Sequence, residues 1–279
     1  MDNQKLYSQL AYQTSGRVTA AYSTSFSLAI TLVDKSMRAH IYAVYGLVRL
    51  ADEVVDSFRP HDSRQLLEKL EHEVYAALES GYSTNLLIHS FATTAKTYNF
   101  ELGLIRAFFA SMRMDITKTN YTQREYEDYI YGSAEVIGLM CLHVFTDNDS
   151  SLYSRLQPSA RALGAAFQKI NFLRDMAADH NQLGRMYFPN VVFDKMSQKN
   201  KKDIIADISK DIRKARRGLV SLPKSSRYAV LLALYYYEAL IKQLKKAPVE
   251  TVKTRRLRIS NTHKLWLYVL VRIQKTFNV

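Results

Sequence analysis

The sequence predicts an all-α protein forming one domain over 1–279, and three observations carry that prediction. Gly and Pro together make up only 14 of the 279 residues, about 5% against a usual ~12%, and a β-rich fold needs more turn formers. The few present fall between stretches of helical periodicity. No internal repeat and no low-complexity linker divides the chain.

Helices are expected at about 17–31 and 35–57, both ahead of Pro60. The next, about 63–79, opens where Asp62 stands three residues before Gln65 and closes at Gly81. Two follow at about 84–97 and 101–117, with Gly103 at their junction. The helix at about 122–146 opens on Thr122, three before Glu125, a capping-box spacing. Pro158 sets the start of about 159–182, and Gly184 with Pro189 ends it. The last three, about 200–220, 224–245 and 250–277, are separated by Pro223 and Pro248.

Composition excludes several classes. An apolar fraction of 47% is too high for a disordered chain at a net charge of +13. One cysteine, Cys141, excludes an internal disulfide framework and suits a reducing compartment. The longest wholly apolar run, Ala229 to Tyr237, falls short of a membrane span, and the first twenty residues lack the pattern of a signal peptide. A cytoplasmic protein is expected. The charge is uneven: residues 1–194 hold 18 basic and 21 acidic side chains, residues 195–279 hold 21 and 5. Nucleic acid, an anionic membrane and a phosphate-bearing substrate each suit such a basic final third, as does a plain solvated surface.

Two helices carry polar ridges on otherwise apolar surfaces. In Met37–Asp56, Tyr45, Arg49, Asp52 and Asp56 follow at helical spacing on one face. In Ser159–His180, Gln168, Asn171, Asp175 and Asp179 do the same. Each ridge ends in aspartates one turn apart, which repel each other unless a cation compensates. Taken singly, either is a solvated face with local Arg–Asp pairs. Two matching ridges on apolar helices point instead to facing carboxylate clusters around a cavity. Hard oxygen ligands of this kind suit Mg²⁺ bridging to a diphosphate.

At these residues the chain resembles the squalene/phytoene synthase family. The first ridge is similar to the family's Y-x-x-x-R-x-x-D-x-x-x-D. The second, with Arg174, is similar to Q-x-x-N-x-x-R-D-x-x-x-D, and Gly184, Arg185, Tyr187 and Pro189 continue it as G-R-x-Y-x-P. Tyr129 to Gly138 resembles Y-x-x-G-x-A-x-x-V-G, Ser25-Phe26 the family's N-terminal segment, and Arg256 to Ser260 its closing basic segment. Three positions depart from it: Glu53 follows Asp52 where many relatives have a second aspartate, and Tyr22 and Thr24 stand where some carry His and Lys.

The resemblance implies a single-domain isoprenoid (terpenoid) synthase fold with two prenyl diphosphates in one central cavity. It implies Mg²⁺, or Mn²⁺, at Asp52, Asp56, Asn171, Asp175 and Asp179, and catalytic roles for those aspartates and Tyr129. Ser25, Tyr45, Arg49, Gln168, Asn171, Arg174, Arg185, Tyr187 and Arg258 are the implied substrate-binding positions. The expected reaction is head-to-head condensation of two geranylgeranyl diphosphates to phytoene through prephytoene diphosphate, a prenyltransferase step of carotenoid biosynthesis, without NADPH. Condensation of two farnesyl diphosphates to presqualene diphosphate, dehydrosqualene or squalene is the alternative. The stretch from Leu265 to Val279 is too short and charged to span a membrane, unlike the anchor of longer squalene synthases, which favours the phytoene branch. Lys242, Lys245, Lys246, Lys253, Arg255, Arg256 and Arg258 bracket Pro248 and suit peripheral contact with the inner membrane face. Downstream carotenoid enzymes are the expected protein partners. An inactive scaffold would have lost ridge aspartates, and a nucleic-acid binder would have no use for them, so neither is expected.

Overall fold

In the computed structural model residues 2–57 and 62–277 are described, and among them no strand occurs. The helices are α1 (Asn3–Tyr22), α2 (Thr24–Ile30), α3 (Lys35–Asp56), α4 (Ser63–Ser80), α5 (Leu86–Thr97), α6 (Leu102–Thr117) and α7 (Gln123–Ile130). A π-helical turn, Tyr131–Glu135, leads into α8 (Val136–Thr146). Then come α9 (Ser150–Leu183), α10 (Gln198–Leu219), α11 (Lys224–Lys246), α12 (Val249–Thr254) and α13 (Asn261–Phe277). The all-α expectation is met. Pro60 lies outside the described residues.

Several ends follow the residues that predicted them. Asp62 accepts from the Gln65 N–H at 3.0 Å. Thr122 and Glu125 form a reciprocal capping box. Gly184 ends α9 in the left-handed conformation at φ 65°, which glycine adopts without a Cβ penalty. Pro223 and Pro248 stand immediately before α11 and α12.

Four expectations are corrected. The helix expected at 17–31 is two helices, the first beginning at Asn3. At Ser23 the backbone is extended (φ −144°, ψ 100°); its N–H closes α1 on the Thr19 carbonyl while its hydroxyl accepts from Phe26 N–H and opens α2. Pro158 lies inside α9, eight residues after its start. The lost hydrogen bond is tolerated because both flanks of the proline are packed, Leu156 and Ala162 being buried against neighbours. Gly103 stands in the first turn of α6 rather than between helices. The helix expected over 250–277 is interrupted: residues 255–260 are non-helical, with Arg255 extended (φ −149°, ψ 148°).

Two apolar clusters form the core. One joins α7, α9, α10, α11 and α13 around Ile170, Leu173 and Leu232; the other joins α3 to α6 and α8 around Phe91, Phe108 and Phe109. Among the described residues one helical run, Gln123–Thr146, is long and apolar enough to cross a membrane, but 67% of its apolar 18-residue window is buried within the protein. It serves as core. A parallel bridge between Asn120 and Met186 ties the chain after α9 to the segment after α6, with Met186 N–H donating to the Thr119 carbonyl at 2.7 Å.

Candidate active site

The first ridge runs down α3, which buries Val44, Leu47, Ala51 and Val55 and leaves the ridge residues partly open. Tyr45 is highest, with Ser23 rather than Ser25 bonded to its hydroxyl; Ser25 lies half-buried in the first turn of α2. Arg49 pairs with Glu53, lies 3.9 Å from Asp52 and stacks over the Tyr22 ring at 4.1 Å. Glu53 is thus turned to Arg49, and Tyr22 supplies a π face to the same guanidinium. Asp52 keeps 36% of its side-chain surface open. Its carboxyl is nonetheless pushed up to about 7, chiefly because protein displaces water around it and then because Asp56 repels the ionised form.

The second ridge runs down α9. Gln168 donates to Ser133 of the π turn at 3.2 Å, and Asn171 Oδ1 accepts from Tyr237 of α11 at 3.3 Å. Asp175 is held by two arginines: Arg174 binds both carboxylate oxygens, and Arg256, from the segment after α12, pairs with it at 2.7 Å. Asp179 is raised to about 7 by burial first, then by Asp175, with Asp56 and Asp115 contributing further repulsion.

Arg185 joins the two ridges. The left-handed Gly184 turns the chain back so that Arg185 N–H bonds the Asp179 carbonyl at 3.0 Å. The Arg185 guanidinium, 2% exposed, then reaches Asp56 at the foot of α3 at 2.9 Å. It also donates to the Asp115 carbonyl at 2.7 Å and lies 3.4 Å from the Asp115 carboxylate. Tyr129 and Tyr187 donate to that carboxylate at 2.7 and 3.1 Å. Burial raises Asp115 to about 6, opposed by Arg185 and the tyrosine hydrogen bonds. Tyr129 is buried behind the ridges, in a stack of Tyr121, Phe172 and Tyr187, away from the cavity wall.

Above the ridges lies a cavity of about 300 Å³, between α2, α3, the π turn, α8, α9, α10 and α11. Tyr45, Gln168 and Asn171 line it, so the upper members of both ridges form its polar end while the aspartates follow one to three turns beyond. The remainder is apolar, with Cys141, Leu142, Phe145 and Leu222 at its walls. Burial pushes the Cys141 thiol up to about 12, so it is an inert wall group. Near the polar end Phe167 stacks on Tyr237 at 3.7 Å with Phe26 beside both.

The C-terminal segment returns to the second ridge and to α2. Arg256 carries the contact to Asp175, whereas Arg258 stays exposed, close enough to Arg256 and Lys264 to repel both. Lys264, in the first turn of α13, donates to Thr24 at 3.2 Å. A cation thus stands beside one of the two N-terminal positions where His and Lys were missing. Asp115, Tyr237 and Lys264 escaped the sequence reading. Asp115 is one acidic residue in an amphipathic helix, and nothing in its spacing marks it; the signal lay in the segments that fold against it.

Among the described residues no three His, Cys, Asp or Glu side chains converge tightly enough to hold an ion alone. The carboxylates come in pairs, and two of them, Asp52 and Asp179, are held above their ordinary range by burial and mutual repulsion. That donor set fits a hard divalent ion completing its shell with phosphate oxygens and water.

A profile described as Squalene/phytoene synthase matches residues 19–263. The chain is 29% identical to Phytoene synthase 2, chloroplastic, of Solanum lycopersicum, covering 91% of this chain and 87% of that protein. It is 27% identical to the 15-cis-phytoene synthase of Synechocystis sp., covering 83% and 75%. Its fold matches the crystal structure of a dehydrosqualene synthase in complex with ligand, with a TM-score of 0.80 at 21% identity over 98% of both chains. The architecture is therefore that of the isoprenoid synthases. Because the profile runs from within α1 into the first turn of α13, it takes in both ridges, the segment between them and the closing basic segment, and the chain belongs to the squalene/phytoene synthase family.

Proposed function

We propose that this chain is a prenyltransferase that joins two geranylgeranyl diphosphates head to head to form phytoene. One observation carries the reading: two acidic ridges, bridged by Arg185 and flanked by Arg49, Arg174 and Arg256, stand at the polar end of an apolar cavity. The named relatives of similar length support the choice of reaction. Members of the family bind prenyl diphosphates with a divalent metal; that the ion is Mg²⁺, replaceable by Mn²⁺ and held by Asp52, Asp56, Asn171, Asp175 and Asp179, belongs to the proposal. When bound, the ion neutralises charge on the diphosphate.

In the first half-reaction the C1–O bond of one substrate breaks and diphosphate leaves with the bonding pair. The double bond of the second substrate attacks C1, and loss of one proton closes a cyclopropylcarbinyl diphosphate. Breaking its C–O bond, rearranging and losing a second proton joins the two C1 carbons. The chain's own residues serve these steps by binding and exclusion. Arg49, Arg174, Arg185 and Arg256 offer charge-assisted hydrogen bonds to the departing anion, and Arg49 Nε and Arg185 Nε are buried with no hydrogen-bond partner among the described residues. The Phe26, Phe167 and Tyr237 faces stabilise positive charge, and the apolar wall keeps water from the cation. Tyr129 positions Asp115, and through it Arg185, instead of removing a proton. Ser25, Tyr45, Gln168, Tyr187 and Arg258 complete the proposed binding set. The basic final third contacts the inner membrane face, close to the downstream carotenoid enzymes that take the product.

The test is incubation with Mg²⁺ and either the C20 or the C15 diphosphate, with and without NADPH, followed by product analysis. Phytoene from the C20 substrate without NADPH is expected. Dehydrosqualene or presqualene diphosphate from the C15 substrate alone would replace the C20 assignment, and no head-to-head product from either would overturn the enzyme reading.

A further inference from the structure

Helix α13 has two apolar faces. Leu267 and Val271 are buried, turned toward α11 and α2. The other face is open: Leu265 is 57% exposed, Val269 46%, Ile273 51% and Phe277 72%, at a constant spacing of four, with Trp266 beside them at 60%. Five of the thirteen large apolar side chains exposed among the described residues fall in this one stretch. Single exposed apolar groups are ordinary on a soluble surface, but a contiguous stripe is an interaction face.

The charge around the stripe says what covers it. Residues 251–277 contain seven Lys and Arg and no Asp or Glu. Arg255 and Arg258 are exposed just before the helix and Arg272 within it, while Lys264 and Lys275 bond back to Thr24 and Leu32 at its flanks. Lys275 also lies 3.8 Å from the Asp34 carboxylate, but every charged side chain of the segment itself is a cation, and an apolar stripe with a Trp on such a segment is the pattern of a helix lying in the headgroup region of an anionic bilayer.

We propose that the exposed face of α13 inserts shallowly into an anionic lipid surface and holds the α2 wall of the cavity close to it. The stripe begins one residue after Lys264, whose partner Thr24 opens the helix that lines the cavity with Phe26 and Ile30. A substrate and a product with long apolar tails then pass between bilayer and cavity without crossing water. This consequence rests on the prenyltransferase reading; the docking itself does not.

Trp266 is the only tryptophan of the chain and reports directly on the face. The full-length protein is mixed with vesicles of phosphatidylglycerol and phosphatidylcholine, or of phosphatidylcholine alone, and Trp emission and co-sedimentation are followed. Expected are a blue shift and sedimentation with the anionic vesicles, and quenching of Trp266 by brominated phosphatidylglycerol. The double substitution Val269→Ser with Ile273→Ser should weaken vesicle binding about tenfold or more while leaving turnover in detergent micelles unchanged. Equal binding of wild type and double variant would overturn the proposal, as would equal binding to neutral vesicles or no shift with either. A concentration-dependent dimer in which Trp266 is shielded, and which the double variant dissolves, would assign the stripe to a second copy of the chain instead. Were the variant unfolded by circular dichroism, the brominated-lipid quenching of the wild type alone decides.

Discussion

Asp179 is the residue whose environment is hardest to explain by structure alone. It is raised to about 7 by burial and by Asp175, Asp56 and Asp115, with Arg185 only partly offsetting them. A residue kept for stability would not be placed so. Asp179→Asn is therefore expected to leave the melting temperature of the metal-free protein unchanged or higher, while lowering turnover on the order of a hundredfold or more. A lower melting temperature with full turnover would remove Asp179 from the site. The same environment sets a pH dependence. Asp52 and Asp179 have folded values near 7, above the ordinary carboxylate value of 3.8. The folded state thus binds more protons than the unfolded state across that window, and stability is lost as pH rises from about 4 to about 7. Without metal, the melting temperature should fall between pH 6 and pH 8, and Mg²⁺ with inorganic diphosphate should restore it at pH 8. Equal melting at both pH values would show that the two carboxyls are not held high.

At the scale of elements, the ridges were legible because helical spacing converts sequence separation into a shared face, and Tyr45 to Asp56 and Gln168 to Asp179 needed nothing else. Helix breaks were less so. Ser23 ends one helix and starts the next by using its N–H and hydroxyl for opposite tasks, which no glycine or proline announces. Pro158, which does announce a break, makes none, since packing on both its flanks outweighs one missing hydrogen bond. The π turn at Tyr131–Glu135 was invisible for a related reason: the extra residue per turn is selected by what lies across from it. Close approach there is severe. A Cβ at Gly164 would lie 2.5 Å from the Ala134 carbonyl oxygen, so α9 touches the backbone of the π turn directly. Gly164→Ala should cost about 1–3 kcal/mol, read as a lower melting midpoint in denaturant, and should displace Gln168 and Ser133 on the cavity wall. An unchanged midpoint would mean that the two helices part easily.

For the whole molecule, the decisive event is the return of the C-terminal segment to helices laid down far earlier. Lys201 on α10, 1% exposed, donates to the carbonyls of Leu244 at 3.0 Å and of Ala247 at the end of α11. That cap directs the chain through Pro248 and α12 to residues 255–260, where Arg256 meets Asp175. Lys201→Met leaves those carbonyls buried and unpaired, at a cost of about 1–3 kcal/mol, and should weaken binding of inorganic diphosphate with Mg²⁺ by loosening Arg256. Unaltered melting and unaltered diphosphate affinity would show that the segment is held by other contacts. The uneven charge belongs to this scale as well: Arg256 goes to the acidic site, while Arg255, Arg258 and Arg272 remain on the surface around the α13 stripe.

The sequence by itself determined the helical class, most helix ends, the two acidic ridges and the family, because propensity, capping and spacing along one helix are local. Tertiary structure alone decided that Asp115 stands behind the site, that Arg256 and not Arg258 reaches Asp175, that Lys264 lies beside Thr24, and that one face of α13 stays bare. Each of those depends on which segments far apart in the chain meet, 70 residues apart for Asp115 with Arg185, 81 for Arg256 with Asp175 and 240 for Lys264 with Thr24, or fail to meet, and packing, not spacing, chooses the partners.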